Sequence, residues 1–355
     1  MTVRSYKTES RDPRLFNLVS GPIPRTEQFV GDRAMPIIPV EDYKGVFKVK
    51  SARNFAGAAE KSGFRAFGAD RKARISTGMD DVPYNVTRAI SGVAEMSIED
   101  YLQSLRNVKF GGEPPDVQMA LEAAYDVRYT QEKQTADLFM TAANWATSGA
   151  CAALDGTIGS SDSGNTAWSS ESSTPDIDLV NIKEFVRSMT YGVDPAQMGL
   201  RFDHDTMVAL QKHVASSDIV RVGDKTKGIT MTGGRRIAAQ NVVIDWIRAI
   251  TGIQDIEVYS VRRETANPTQ TSSKANVATS GSLWCGVLHG PIRPAGNGGT
   301  VKAVACGMPR VGGWHGYEAH LPNREAPVKH EITAELYQEP LIFDNTIACL
   351  ITGCA

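Results

Sequence analysis

Asp203, His204 and Asp205 stand side by side, and carboxylates flanking an imidazole are the side chains that bind a metal ion or shuttle a proton. Asp203 also stands directly ahead of an apolar helical pattern through Met207, Leu210 and Gln211, where an aspartate caps the first turn. His315 and His320 lie five apart around Gly316 and Tyr317, with no third ligand of the kind zinc requires, and read as structural histidines. Gly296-Asn297-Gly298-Gly299 lacks the third glycine and the strand-to-helix setting of a dinucleotide turn. Gly223-Asp224-Lys225-Thr226-Lys227-Gly228 lacks the Gly-Lys-Ser/Thr ending of a phosphate loop, and the serines of the 160 to 173 loop have no nucleophile elbow around them. These patterns predict no catalytic residue, no metal site and no cofactor.

The five cysteines, Cys151, Cys285, Cys306, Cys349 and Cys354, are odd in number and scattered, without a Cys-x-x-Cys pair. They read as reduced core residues of a cytosolic protein, a Cys349–Cys354 disulfide being the lesser reading. At 355 residues the chain is long enough for two or three domains, and 41% hydrophobic and 22% charged residues are ordinary for a soluble globular protein. A formal net charge of -2 exerts no global pull on nucleic acid or membrane. The polar N-terminus predicts no signal peptide, and no apolar run reaches the ~20 residues of a membrane span.

The elements that would position any site are organised around Asp116 to Ala146. This stretch has no Gly or Pro, follows Pro114-Pro115 and precedes Gly149, so it predicts one continuous helix of roughly 45 Å. Val117, Leu121, Ala124, Arg128, Thr135, Phe139, Ala142 and Ala146 share a face that should be buried, flanked by Ala120, Tyr125, Val127, Leu138, Ala143 and Trp145. Glu122, Asp126, Lys133, Asp137 and Asn144 share the opposite face. A rod of that length protrudes from a small globule or forms the spine of an elongated one.

Ahead of it, residues 1 to about 38 mix charges with Pro13, Pro22, Pro24, Pro36 and Pro39 and read as an extended arm. Short β-like pieces follow, at Gly45 to Lys50 and Tyr84 to Thr87, around a Gly- and Ala-rich middle. Between Lys44 and Arg74, Lys44, Lys48, Lys50, Arg53, Lys61, Arg65, Arg71, Lys72 and Arg74 oppose Glu60 and Asp70, nine minus two giving +7. From Glu113 to Thr147, Arg128 and Lys133 oppose Glu113, Asp116, Glu122, Asp126, Glu132 and Asp137, two minus six giving -4. A basic hairpin and an acidic helix face are complementary; each alone could equally be a solvated surface.

Residues 148 to 174 read as a Gly/Ser/Thr linker with an isolated Trp168. Thr174 and Pro175 open a helix ending at Gly192, Met198 to Phe202 reads as a strand, Asp203 caps a short helix, 235 to 251 reads as another helix, and Ile256 to Val261, Leu283 to Leu288 and Val301 to Cys306 as strands. Residues 176 to about 318 thus make an α/β domain. In the tail, Lys329 to Tyr337 alternates and Ile347 to Ile351 is an apolar run; both are expected to close a sheet under the long helix.

This order of parts resembles the major capsid protein of tailed bacteriophages, the Hong Kong 97-like fold shared with encapsulin shells and the floor of herpesvirus capsids. Trp168 followed by Pro175-Asp176-Ile177-Asp178 is similar to the opening of the capsid axial domain. Pro195, then Leu210, His213, Asp218 and Ile219, is similar to a family strand and "Leu-x-x-His" helix. Leu283-Trp284-Cys285-Gly286 resembles its Leu-Trp-Gly strand with Cys285 inserted. The resemblance spans roughly residues 40 to 352 and implies an α+β fold with a spine helix, an extended β-hairpin loop and an inserted α/β axial domain.

It divides the chain into arm (1–38), extended loop (39–100), peripheral domain with spine helix (101–175), axial domain (176–320) and peripheral closing strands (321–355). It implies a structural protein without an active site, forming hexamers and pentamers of an icosahedral head around double-stranded DNA. Portal, scaffold and decoration proteins would be partners, with the host cytoplasm as the place of assembly and the virion as the destination. The basic loop would reach over the acidic helix face, Glu122, Asp126 and Asp137, of a neighbouring copy; opposite charge there offsets the entropy of ordering the loop. Lys61 and Lys72 lie in the loop from which some relatives crosslink neighbours, but no partner asparagine is identifiable and no bond is expected. Three other readings stand beside this one: an encapsulin-like shell protein, a cytosolic α/β hydrolase using Asp203, His204 and Asp205, and a nucleic-acid-binding module whose basic hairpin contacts phosphate.

Overall fold

The computed structural model describes residues 29–49, 80–108, 114–150, 168, 173–190, 192–216, 229–232, 235–264, 273–289, 303–311, 314–315, 317–320 and 329–355. In chain order these form β1 (Ile37–Val40), β2 (Lys44–Val49), β3 (Asp80–Asn85), β4 (Ala89–Ser97), α1 (Ile98–Val108), α2 (Pro115–Met140) and β5 (Thr147–Ala150). There follow α3 (Pro175–Met189), β6 (Met198–Asp203), α4 (His204–Ser216), β7 (Ile229–Thr232), β8 (Arg235–Ala238), α5 (Gln240–Thr251), β9 (Asp255–Tyr259), β10 (Arg262–Glu264) and β11 (Lys274–Asn276). The chain closes with β12 (Leu283–Val287), β13 (Val304–Val311), β14 (Trp314–His315), β15 (Tyr317–His320), β16 (Lys329–Tyr337), β17 (Glu339–Ile342) and β18 (Ala348–Thr352).

The long helix forms where its composition predicts, with Pro115 in its first turn, but ends six residues before Ala146. Its 26 residues span about 39 Å at 1.5 Å per residue. The stop is made by side chains. Thr141 turns extended, and the Trp145 indole N–H and Asn144 amide donate to the carbonyls of Phe139 and Leu138 (2.9 Å each), partnering oxygens that the last turn leaves open. The buried stripe is also rotated from the expected one. Met119, Ala120, Ala123, Ala124, Val127, Arg128, Gln131, Glu132, Thr135, Ala136, Phe139 and Met140 are buried, whereas Val117 and Leu121 are half-buried and Tyr125, Ala142 and Ala146 exposed.

That stripe joins two cores. Its first half covers an antiparallel sheet ordered β15-β16-β4, packing Met119, Ala123 and Val127 on Ile90, Ala94, Ile332, Ala334 and Leu336. The alternation read in Lys329 to Tyr337 is therefore realised, with the even-numbered residues Ile332, Ala334 and Leu336 inward. Its last turn enters the core of a five-stranded sheet ordered β5-β18-β12-β6-β9, where Phe139 meets the Trp284 ring edge-on at 4.7 Å between centroids. α3, α4 and α5 pack with this sheet, and α3 ends as expected, the Gly192 N–H (φ 94°) returning to the Arg187 carbonyl at 2.8 Å.

Five local expectations are corrected. The apolar tail, 347 to 351, does not lie under the long helix; β18 pairs with β12 and β5 inside the five-stranded sheet, because its residues are buried on both faces and need cover on both. The supposed linker accordingly begins as strand β5. Residues 235 to 238 form β8, hairpinned to β7, and only Gln240 onward is helical. The strand expected at Val301 to Cys306 is β13, Val304–Val311. Thr174 sits at the start of α3 without any bond from its hydroxyl, Pro175 supplying the helical φ instead.

β2 and β3 form the predicted hairpin base, with Lys44 opposite Asn85 and Val49 opposite Asp80. Phe47, Val49 and Val82 anchor it on Ala305, Leu341 and Phe343 of the β1-β13-β17 sheet. The loop it leads into, and with it Lys50, Arg53, Lys61, Arg65, Arg71, Lys72 and Arg74, lies outside the described residues. So do Asp218, Ile219 and the glycine stretches 223–228 and 296–299. Among the described residues no helix is long and apolar enough to cross a membrane.

Close approach of α2 to its sheet rests on Gly92 in β4, where a Cβ would run into the Ala123 carbonyl and come within 3.1 Å of the Asp126 Cβ. Gly92→Ala is expected to cost about 1–3 kcal/mol of stability through overpacking, read as a lower denaturation midpoint with an unchanged m-value.

Candidate functional site

α2 has two polar surfaces. On the outer one Glu122, Asp126 and Asp137 are all exposed, with Lys133 beside them, as the sequence predicts. Partial burial raises the Asp126 carboxyl above its ordinary range. Of the expected cationic partners, Lys44 and Lys48 are exposed on the hairpin, Lys48 standing 4.0 Å from Asp81 across the strand pair. Among the described residues no ion pair joins Lys44 or Lys48 to the acidic face.

The inner surface holds a site the sequence reading did not find. Midway between the two apolar stretches, the buried stripe turns polar at Arg128, Gln131, Glu132 and Thr135. Residues 29 to 36, read as part of an irregular arm, lie across it. The backbone N–H groups of Val30 and Gly31 donate to one Glu132 oxygen at 2.8 and 2.6 Å. Asp32 pairs with Arg128, and Arg33 with Glu257 at 2.9 Å. The Ala34 carbonyl accepts two bonds from the fully buried guanidinium of Arg201, at 2.9 and 2.7 Å. Pro36 accepts from the Cys306 amide, after which β1 runs parallel to β13. Phe29 meets the Tyr125 ring edge-on at 5.3 Å.

The electrostatics follow from burial. Glu132 has no exposed surface, and desolvation pushes its carboxyl up to about 8 against the opposing pull of the two backbone bonds; Glu257 adds to the rise and Arg33 resists it. The second Glu132 oxygen is buried without a partner. Glu257 is raised as well, chiefly by desolvation, and burial pushes the Tyr259 phenol up. Arg201 is matched by Asp255 at 2.8 Å, whose other oxygen is 3.2 Å from the His289 ring. Gln131 reaches Gln338 at 2.9 Å, tying the same stretch to the end of β16.

Two of the three residues that suggested hydrolysis, Asp203 and Asp205, are engaged elsewhere. Asp203 is fully buried and caps α4, accepting from the Asp205 N–H at 2.8 Å, the Thr206 N–H at 3.3 Å, the Thr206 hydroxyl, and the Ser282 N–H at 2.9 Å. Desolvation raises its carboxyl despite those bonds. Asp205 turns the other way, accepting from Asn276 at 2.8 Å and Ser280 at 2.6 Å. Cys285, Cys306, Cys349 and Cys354 are buried and outside any disulfide. Among the described residues no three His, Cys, Asp or Glu side chains gather as a metal site. Trp168 is buried, its indole N–H donating to Asp178 at 2.8 Å, which is the physical link between the tryptophan and the Pro-Asp-Ile-Asp run seven residues on.

Arg201→Met removes both donors to Ala34 and leaves Asp255 without its cation. The expected loss is about 3 kcal/mol, the low end for a broken buried pair because Asp255 retains some contact with water. Chemical denaturation measures it, and proteolysis of the arm should accelerate in parallel.

No family model matches the sequence, and no curated protein matches it. Solved structures do. A phage-related protein from Bordetella bronchiseptica RB50 aligns over 98% of this chain and 99% of its own, with a TM-score of 0.61 at 16% identity. A virus-like particle from Pyrococcus furiosus aligns over 96% of both chains at a TM-score of 0.45 and 8% identity, and the capsid of cyanophage P-SCSP1u over 91% and 88% at 0.42 and 9%. The first of these shares its fold with this chain almost end to end. With its hairpin, long helix and five-stranded sheet in that order, the chain has the α+β, Hong Kong 97-like fold expected from the sequence.

Proposed function

We propose that the chain is a capsid-type shell subunit that assembles with copies of itself. The observation that carries this reading is the division of labour on α2. One face is buried along its whole length against the chain's own sheets and arm, while the opposite face presents Glu122, Asp126 and Asp137 to solvent. The hairpin base is anchored on the chain's own sheet by Phe47 and Val49 and leads into a stretch of net positive charge. Docking of that stretch on the acidic face of the next copy places opposite charges together and fixes the register of neighbours.

On this reading the subunits form hexamers and pentamers around the 176–320 region and close into an icosahedral phage head enclosing double-stranded DNA. A portal and a scaffold would assemble with them, decoration proteins would bind outside, and host cytoplasm would be the place of assembly. Catalysis has no part in it: Asp203 and Asp205 are engaged in holding α4, β11 and β12 together. The whole-length likeness to a phage-related protein supports the shell reading, and the shells of lower similarity are in keeping with it.

Purified protein is expected to sediment at megadalton size and to appear as closed particles under negative stain; a small oligomer at high concentration would refute the proposal. Reversal of Glu122, Asp126 and Asp137 to lysine should leave the chain folded and weaken assembly by on the order of tenfold or more. Rising salt should weaken wild-type assembly and affect the reversed variant less. Unchanged assembly and salt dependence would exclude the docking.

A further inference from the structure

We propose that residues 29–36 are a strap latched by the protonation state of Glu132: seated across the joint between α2 and the five-stranded sheet while that carboxyl holds its proton, and released as it ionises. The latch belongs to the single chain and does not depend on shell assembly.

The geometry concentrates the strap's seat on one group. A single Glu132 oxygen receives two consecutive strap amides, Val30 and Gly31, and the other is sealed from solvent without a partner. An ionised carboxylate there would leave half its charge unsolvated and unmatched. The surrounding charges do not rescue it. On the strap, Arg33 favours the anion but is paired to Glu257, and Asp32 faces Arg128. From β9, Glu257 opposes ionisation and Tyr259 contributes only a buried phenol; Arg201 on β6 is matched by Asp255 and lies with the Ala34 carbonyl. Undocking admits water to the carboxyl and removes the penalty.

The sign follows from linkage. Docked, the carboxyl titrates at about 8; undocked, it returns toward its ordinary 4.5. Docking is therefore tightest below about pH 4.5, weakens about tenfold per pH unit between these values and levels off above about pH 8, a total change of up to about three orders of magnitude in the opening constant.

Hydrogen exchange of the full-length chain, followed by mass spectrometry from pH 5 to 9 and corrected for intrinsic base catalysis, tests this. Peptides covering 29–36 should show the rising and then level opening constant, while those covering β16 show none. Glu132→Gln keeps an acceptor for both amides without a titrating group, so its strap should stay closed and independent of pH. The wild-type-minus-variant infrared difference should show one buried protonated carboxyl band, from Glu132, that vanishes near pH 8. A pH-independent strap in the wild type, the same rise in Glu132→Gln, or equal loosening of β16 would each overturn the latch. Should the variant fail to fold, the wild-type profile of strap against β16 decides alone.

Discussion

A carboxyl group with no surface must either shed its charge or be met by one, and Glu132 imposes that demand on the middle of the longest helix in the structure. The demand is met by backbone: two amides from a distant part of the chain complete a polar stretch that α2 alone could not bury. Arg128 and Arg201 extend the same arrangement on either side, one to Asp32 and the other to the Ala34 carbonyl. Burying such groups gains little energy compared with apolar contact, but leaving any one of them unmatched costs a good deal. The arm is thus held in one register, by the groups that would suffer from its absence.

The consequence is mechanical. α2 belongs to two cores, the small antiparallel sheet under its first half and the five-stranded sheet at its end, and the strap crosses the point where one gives way to the other. Gln131 and Gln338 add a second tie there, between the helix and the strand that closes the small sheet. The strap therefore bears on the angle that the two cores hold about α2. The face of α2 turned away from it bears the exposed acidic residues, so the arm and the acidic surface fall on opposite sides of one helix.

The same physics separates chemistry from scaffolding around Asp203. Carboxylate, imidazole and carboxylate in succession are the ingredients of an acid–base site, yet Asp203 accepts from two backbone amides of α4, the Thr206 hydroxyl and the Ser282 amide. A group so bonded holds a turn in place and presents no lone pair to a substrate. Asp205 points toward Asn276 and Ser280, away from its neighbour in sequence. Adjacency in sequence at a helix start separates side chains by about 100° around the axis, which disperses such a cluster.

Local signals in the sequence determined a good deal: the long helix from its composition and the proline pair before it, β16 from its alternation, the Leu283 to Gly286 strand, the Asp203 cap and the hairpin base. Each depends on propensity or periodicity within one element. The stripe Met119, Ala123, Val127 extends at helical spacing to Arg128, Gln131 and Glu132, so the buried carboxyl was legible in principle. The sequence reading counted Glu132 only in the net charge of 113 to 147 and assigned it to neither face. Only the tertiary structure decided that the arm would cover it, that β18 would leave the small sheet for the five-stranded one, and that Trp145 would end α2 early. The first two rest on pairings between residues a hundred or more positions apart, the third on a side-chain bond back to Phe139, and a single sequence carries no record of which partner satisfies which buried group.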